Sequence, residues 1–225
     1  MSALAWRDEP ARLALAAIGG LGDLLALAGD LAEARLAELG PPLTTARTRR
    51  LYRVTTDGLD CFVKLQVARP ADLAPRRWLS YALRPAPAVR EATALDALAD
   101  LGIPVPEVLA AGSRGRFPMT TRAVLITRAM PARIDLAAWL EAEPTAARRA
   151  SAMDAAEALV ARIHAAGWSL GGASYRNLLV RTDIDPARPI GPDDLAILDQ
   201  PNLARGTKRS ARDARHLGRD RGRFT

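Results

Sequence analysis

The spacing of apolar residues changes character along the chain. The opening stretch, "MSALAWRDEPARLALAAIGGLGDLLALAGDLAEARLAELG", is rich in Ala and Leu but is interrupted by Asp23, Asp30 and the Gly19-Gly20-x-Gly22 cluster. It predicts one or two amphipathic helices packing on the body. From Thr44 to Val67 the period shortens to two: "RLYRV" and "DCFVKLQV" flank Thr55-Thr56-Asp57-Gly58, and the Asp-Gly pair predicts a hairpin. In the second strand Phe62, Lys64 and Gln66 share one face, and Cys61, Val63 and Leu65 the other. A lysine on so apolar a strand either sits at a sheet edge and reaches water or points toward an anion.

"RPADLAPRRWLSYALRPAPAVR" reads as a loop containing a short helix, and "AVREATALDALADLG" as a stronger one. Glu91, Leu95 and Leu98 follow i, i+4, i+7, so Glu91 begins the buried stripe. Gly102 ends that helix, and Pro104 and Pro106 forbid its continuation. A carboxylate on the buried side calls for a cation, and Lys64 is the obvious candidate. "PEVLAAGS" and "AVLITRAM" suit buried strands joined through Arg114-Gly115-Arg116. "IDLAAWLEA" predicts a short helix with Asp135 near its start. Thr145 to Ala166 predicts a long one, striped by Met153, Ala156, Leu159, Val160 and Ile163 and stopped by Gly167. "NLLV" and "LAILD" form a strand pair joined by a loop with Pro186, Pro189 and Pro192; beyond them the chain reads as polar, Arg-rich and nearly structureless. The order implies an α+β protein: a small sheet lobe, then a mostly helical lobe, joined near Arg128 to Ile134.

Composition narrows the function classes. At 225 residues and 49% hydrophobic, the chain can bury one sizeable core or two small ones. One cysteine, Cys61, excludes an internal disulfide and a multi-cysteine zinc site, which fits a reducing, cytoplasmic setting. The net charge of +7 is unevenly placed. From Ala204 onward eight basic residues face two acidic ones, leaving 24 basic against 23 acidic elsewhere. The body is nearly neutral, so nucleic acid is not an expected partner, while the tail is a solvated basic end that could meet an anionic membrane surface. Asp8 and Glu9 offset Arg7 and Arg12, so the N-terminus lacks the positive region of an export signal. No run reaches the roughly 20 apolar residues that span a bilayer.

Four pieces then occur in a telling order. "FVKLQ" resembles the third-strand lysine segment of a protein-kinase-like fold, and Glu91 the acidic partner of that lysine. "AAGWSLGGASYRNLLV" is similar to the catalytic loop, and "LAILDQ" to the metal-binding aspartate segment. Their spacing, with "REATALDALADLGIPVPEVLAAG" between them and "RDARHL" after, resembles the bacterial lipopolysaccharide kinase (Kdo/WaaP) family from about Arg50 to Leu217. The resemblance implies a two-lobed fold with a small antiparallel-sheet N-lobe and a mainly helical, apparently truncated C-lobe. Its divisions would be an N-terminal helical extension at 1–43, an N-lobe at 44–130, a C-lobe at 131–203 and a basic tail at 204–225. It further implies that Lys64, oriented by Glu91, holds the phosphates of ATP, and that Asn177 and Asp199 give oxygen ligands to Mg²⁺. Plainer readings stand beside these: a surface lysine, a glutamate favoured by a helix N-terminus, an asparagine capping a loop, an aspartate ending a strand, and a His164 that packs or caps. Arg176 matches the family arginine beside the asparagine, and Asp213 a position that braces the loop.

The sequence also departs from the family. Counting back from Asn177, the general-base position is Gly172 and the histidine position before it is Leu170. A glycine accepts no proton, and positioned acid–base groups are commonly worth about 10²- to 10⁴-fold in rate. Asp183, Asp185, Asp193 and Asp194 lie in the excursion between two strands and are not expected to substitute. "TTARTRRLY" lacks the glycines of a phosphate-covering loop, leaving Arg47, Arg49 and Arg50 as phosphate contacts or as a solvated strand end. The implied activity is ATP-dependent phosphotransfer to a sugar hydroxyl of a lipopolysaccharide-core-like glycolipid, peripheral to the inner membrane and impaired at Gly172. The alternatives are a pseudokinase that acts by binding nucleotide or a partner, and a degenerate remnant.

Overall fold

The computed structural model describes residues 5–17, 29–56, 58–74, 78, 82–115, 119–143, 145–200, 202–206 and 210–224. The chain divides into two compact units, Met1–Thr93 with Glu107–Ala129, and Ala94–Pro106 with Met130–Thr225.

The first unit is built on an antiparallel sheet. Strand β1 (Ala5–Trp6) leads to helices α1 (Glu9–Ala17) and α2 (Gly29–Leu39). Strands β2 (Thr44–Ala46), β3 (Arg49–Thr56) and β4 (Leu59–Ala68) follow, then helix α3 (Pro87–Asp100) and strands β5 (Val108–Arg114) and β6 (Thr121–Arg128). The sheet order is β1-β5-β6-β4-β3-β2. The expected hairpin is β3–β4, and its alternation is kept: Cys61, Val63 and Leu65 are buried together with Tyr52 and Val54. Of its turn, Asp57 lies outside the described residues, and Gly58 takes φ +87. The β5–β6 turn needs Gly115, because a Cβ there would meet the Thr120 carbonyl oxygen at 2.2 Å.

One feature of this unit was not expected. The N-terminal segment is more than a helical extension, since β1 pairs with β5 as an edge strand, Ala5 opposite Ala111. The helices behind it are bound into the same core through Ala11, Leu15, Ala32 and Leu36. Lys64 lies opposite Leu51 of β3 on one side and Leu125 of β6 on the other, which decides between its two readings. An interior strand gives it no open edge, so that alternative is removed.

Helix α3 crosses from one unit to the other between Thr93 and Ala94. It ends as its sequence demands: Gly102 N–H donates to Ala99 O and Ile103 N–H to Leu98 O, while Gly102 takes φ +68. Leu98 and Ile103 close this Schellman end as neighbours in one apolar cluster.

The second unit is mainly helical. It contains β7 (Arg133–Asp135), α4 (Leu136–Ala142), α5 (Ala146–Ala165), β8 (Trp168–Ser169), β9 (Leu178–Arg181), β10 (Leu195–Ile197), β11 (Ala204–Arg205) and α6 (Ser210–Phe224). Asp135 caps α4 by accepting the Ala138 N–H at 3.0 Å. The predicted stripe of α5 is buried from Met153 to Ile163, against Leu178, Val180, Leu195 and Ile197 of the β9–β10 pair.

The C-terminal segment corrects the sequence reading. Residues 210–224 are an ordered helix, not a nearly structureless basic end. Its arginines are partly engaged: Arg221 bonds Asp154 and Glu157 of α5 at 2.8 and 2.9 Å, and Arg223 bonds Glu141 of α4 at 2.7 Å. Such exposed pairs are individually weak. The helix is held by its acidic residues instead.

Candidate functional site

In the first unit, the side chains of Lys64 and Glu91 meet. Lys64 Nζ donates to Glu91 Oε1 at 2.5 Å, with side-chain exposures of 15% and 6%. Strand β4 supplies the lysine, and the first turns of α3 the glutamate, on the same helical face as Leu95 and Leu98. The environment is dry enough for the pair to need each other. Two arginines of the β2–β3 turn, Arg47 and Arg50, are engaged elsewhere. Arg47 bonds Ala71 O and approaches Asp72 at 3.6 Å. Arg50 bonds Ala46 O and lies 3.9 Å from Glu33.

In the second unit, the residues from Leu170 to Asn177 form a loop fastened to α6. Asp213, fully buried, accepts the N–H of Leu170 at 2.8 Å, of Gly172 at 2.6 Å and of Ala173 at 3.1 Å. His164 Nε2, at the end of α5, donates to the same carboxylate at 3.0 Å. Burial pushes the Asp213 carboxyl up, but the bonds from His164 and the three amides outweigh it and hold it below its ordinary range. Two turns further along α6, Asp220 accepts the Ser174 hydroxyl at 2.8 Å and the Tyr175 N–H at 2.9 Å. The Tyr175 ring, itself fully buried, lies 6.2 Å from Phe224. The loop backbone is thus fixed by two carboxylates of one helix face, spaced seven residues apart with Leu217 between.

Asp213 answers the sequence expectation of a brace, and His164 is its partner. Asp220 was missed. The signal was present: two acids at i and i+7 in a run otherwise rich in arginine.

Asn177 and Asp199 stand at one end of the β9–β10 ladder. Leu178 pairs with Ile197, and beyond that pair Leu198 N–H donates to Asn177 O at 2.8 Å. Asp199 takes φ +49, a left-handed conformation that a non-glycine residue adopts at a cost and that often marks a functional position. Among the described residues no group of three or more His, Cys, Asp or Glu could hold a metal. One carboxylate and one amide oxygen still suit Mg²⁺, a hard ion usually bound through one or two protein oxygens together with substrate phosphates. Lys64 and Glu91 belong to one unit and Asn177 and Asp199 to the other.

The excursion carboxylates are committed elsewhere. Asp183 pairs with Arg181, Asp193 with Arg162, and buried Asp194 accepts from Arg188 and from Gly191 N–H. Asp185 accepts the Ala187 N–H.

Gly172 takes φ +146, and a Cβ there would find no obstacle nearer than His216 Cε1 at 3.8 Å. The barrier to a side chain is therefore backbone conformation and not space. Gly172→Ala is expected to lower stability by about 1–3 kcal/mol, the usual cost of a non-glycine residue in such a region. Urea unfolding of the two proteins checks it; equal stabilities would mean that the loop relaxes freely.

No curated protein matches this sequence at a significant level. Among solved structures, a complex of WaaP with acyl carrier protein is similar over 99% of this chain and 82% of that one, at 21% identity and TM-score 0.62. A co-crystal structure of WbdD with a kinase inhibitor is similar over 75% of this chain and 34% of that one, at 14% identity and TM-score 0.50. Both likenesses are of fold, and they agree with the protein-kinase-like architecture of a small antiparallel sheet unit and a mainly helical one. Residues 36–212 match the family described as "Lipopolysaccharide kinase (Kdo/WaaP) family". With most of its length inside that match, the chain belongs to the lipopolysaccharide kinase (Kdo/WaaP) family.

Proposed function

We propose that this protein binds ATP with Mg²⁺ and transfers phosphate to a sugar hydroxyl of a lipopolysaccharide-core-like glycolipid, with a rate lowered by the absence of a side chain at Gly172. The observation that carries the reading is the buried Lys64–Glu91 pair, 2.5 Å across on an interior strand. Nothing in sheet packing calls for a lysine there, and a buried ammonium oriented by a carboxylate is a ready point charge for nucleotide phosphates. In the second unit Asn177 and Asp199 are the oxygen donors for Mg²⁺, which when bound neutralises charge on the transferring phosphoryl group. The loop between Leu170 and Asn177, fixed by Asp213 and Asp220, keeps Asn177 in place without reorganisation during the reaction.

Exposed Arg212, Arg215 and Arg219 follow one face of α6 and give the basic surface by which the protein would rest on an anionic membrane. Among the described residues no helix is long and apolar enough to cross one.

The test is titration calorimetry of the full chain with ATP and Mg²⁺, using Asp199→Ala as control. Magnesium-dependent binding that disappears in the variant supports the reading. A folded protein that binds no nucleotide refutes it. Binding without turnover moves the assignment to a pseudokinase, which the bare Gly172 position favours.

A further inference from the structure

The catalytic loop of protein-kinase-like enzymes places its proton acceptor five residues before the asparagine that serves the metal. Here that position is Gly172, yet the space beside it is not empty. The atom nearest to a Cβ built on Gly172 is Cε1 of His216, at 3.8 Å. Cε1 is the ring carbon bonded to both imidazole nitrogens, so each ring nitrogen of His216 lies one bond from the atom nearest that Cβ. We propose that His216, carried on α6, is the proton acceptor of the phosphoryl transfer and replaces the missing loop carboxylate. This rests on the nucleotide-dependent reading above.

Placement makes the substitution mechanically sound. His216 is three residues after Asp213, so it lies one helical turn along the same face. Asp213 is bonded to the Gly172 N–H at 2.6 Å and to the amides on either side of the Gly171–Gly172 pair. The helix that positions the imidazole therefore also positions the loop, and the two cannot drift apart independently. A β-carbon at residue 172 would stand in ordinary van der Waals contact with the imidazole, 3.8 Å from Cε1. The φ of +146 at Gly172 suits glycine, so the loop keeps its conformation without a side chain beside the imidazole. His216 is half-buried.

His216 has charged neighbours of both signs along α6. On its own helix Arg212 and Asp213 precede it by one turn, and Arg219 and Asp220 follow by one. From α5, His164 reaches the region through Asp213. Residues 170–174 of the loop carry no titratable side chain.

The step balances without further reagents. The acceptor hydroxyl oxygen forms a bond to the γ-phosphorus of ATP, and the bond from that phosphorus to the β,γ-bridging oxygen breaks. The electron pair leaves with ADP, and the hydroxyl proton passes to a ring nitrogen of His216 and then to water. With water as acceptor the same step yields inorganic phosphate, which gives an assay before any sugar substrate is identified.

The experiment measures Mg²⁺-dependent ATP hydrolysis and, separately, MgATP affinity for the full-length wild type, His216→Gln and His216→Glu across pH 5 to 9. The expected result is a fall of about 10²-fold in hydrolysis for His216→Gln, with affinity unchanged within a factor of two. His216→Glu should recover part of the rate, with the acid limb moved to lower pH, because a carboxyl titrates about two pH units below an imidazole. A merely structural histidine would not move that limb. Equal hydrolysis and pH profiles for wild type and His216→Gln overturn the proposal and leave nucleotide binding intact. So does MgATP binding by wild type with no turnover above a blank. Absence of MgATP binding removes the underlying reading, and this proposal with it.

Discussion

Asp213→Ala should destabilise the protein by about 4 kcal/mol, among the largest effects of any single substitution in the chain. The reason is arithmetic on buried donors. The carboxylate serves the amides of Leu170, Gly172 and Ala173 and the ring of His164, and it is wholly inaccessible to water. Each donor left without a partner costs about 1–3 kcal/mol, reduced where water enters the vacated space. Asp213→Asn keeps one acceptor oxygen but turns an NH₂ toward a donor, so an intermediate loss of about 2 kcal/mol is expected. Urea unfolding measures both. Hydrogen exchange gives the local readout: protection at Leu170, Gly172 and Ala173 should collapse in Asp213→Ala while that of the β3–β4 hairpin persists. Unchanged protection at those three amides would show that the brace is not Asp213.

The same carboxylate sets a pH dependence. Its folded pKa is depressed, so its contribution is fully present above the unfolded value, about 3.9, and is lost as pH falls through the folded value. The stability difference between wild type and Asp213→Ala should be flat from neutrality down to about pH 5 and shrink below about pH 4.

Helix α6 was not legible in the sequence. Helices α3 and α5 were legible because their buried faces are apolar and their ends carry Gly102 and Gly167. Helix α6 presents Asp213, Leu217 and Asp220 to the body, and its fit depends on backbone amides that a hydrophobic pattern does not register. A search for apolar period 3.6 returns nothing there, and the arginines between these residues look like solvated tail. Strand β1 escaped for another reason: two residues, Ala5 and Trp6, are too few for a period, and only the free edge of β5 makes them a strand. The site residues divide the same way. Lys64 and Glu91 could be paired by reasoning alone, since each posed a burial problem that the other solves. Asn177 and Asp199 needed the family pattern, because neither burial nor periodicity distinguishes them from a loop cap and a strand end. His216 had no signal of its own, since its neighbour Gly172 is 44 residues away and is brought near by the α6 brace.

The pairing of Lys64 with Glu91 predicts the second large effect, and a double-mutant cycle separates structure from function. Lys64→Met removes the ammonium from a glutamate that is almost wholly buried, and breaking one side of such a pair typically costs about 3–5 kcal/mol. Glu91→Leu leaves the ammonium in the same dry place and should cost somewhat less, because a longer, partly exposed lysine can reach toward water. Combining them replaces the pair with apolar side chains beside Leu51 and Leu125, an exchange that is often neutral. The double variant should therefore lie within about 1 kcal/mol of wild type, giving a coupling energy of at least about 2 kcal/mol. Nucleotide binding should behave in the opposite way. If the ammonium contacts phosphate, the stable double variant binds MgATP on the order of 100-fold more weakly, the loss of one charge-assisted contact worth about 2.7 kcal/mol. Stability restored with affinity lost assigns Lys64 to the nucleotide. Stability and affinity restored together would make the pair a packing device and remove the main support for nucleotide chemistry in this unit. The cycle needs no knowledge of the sugar acceptor, and it does not depend on Gly172 or on His216.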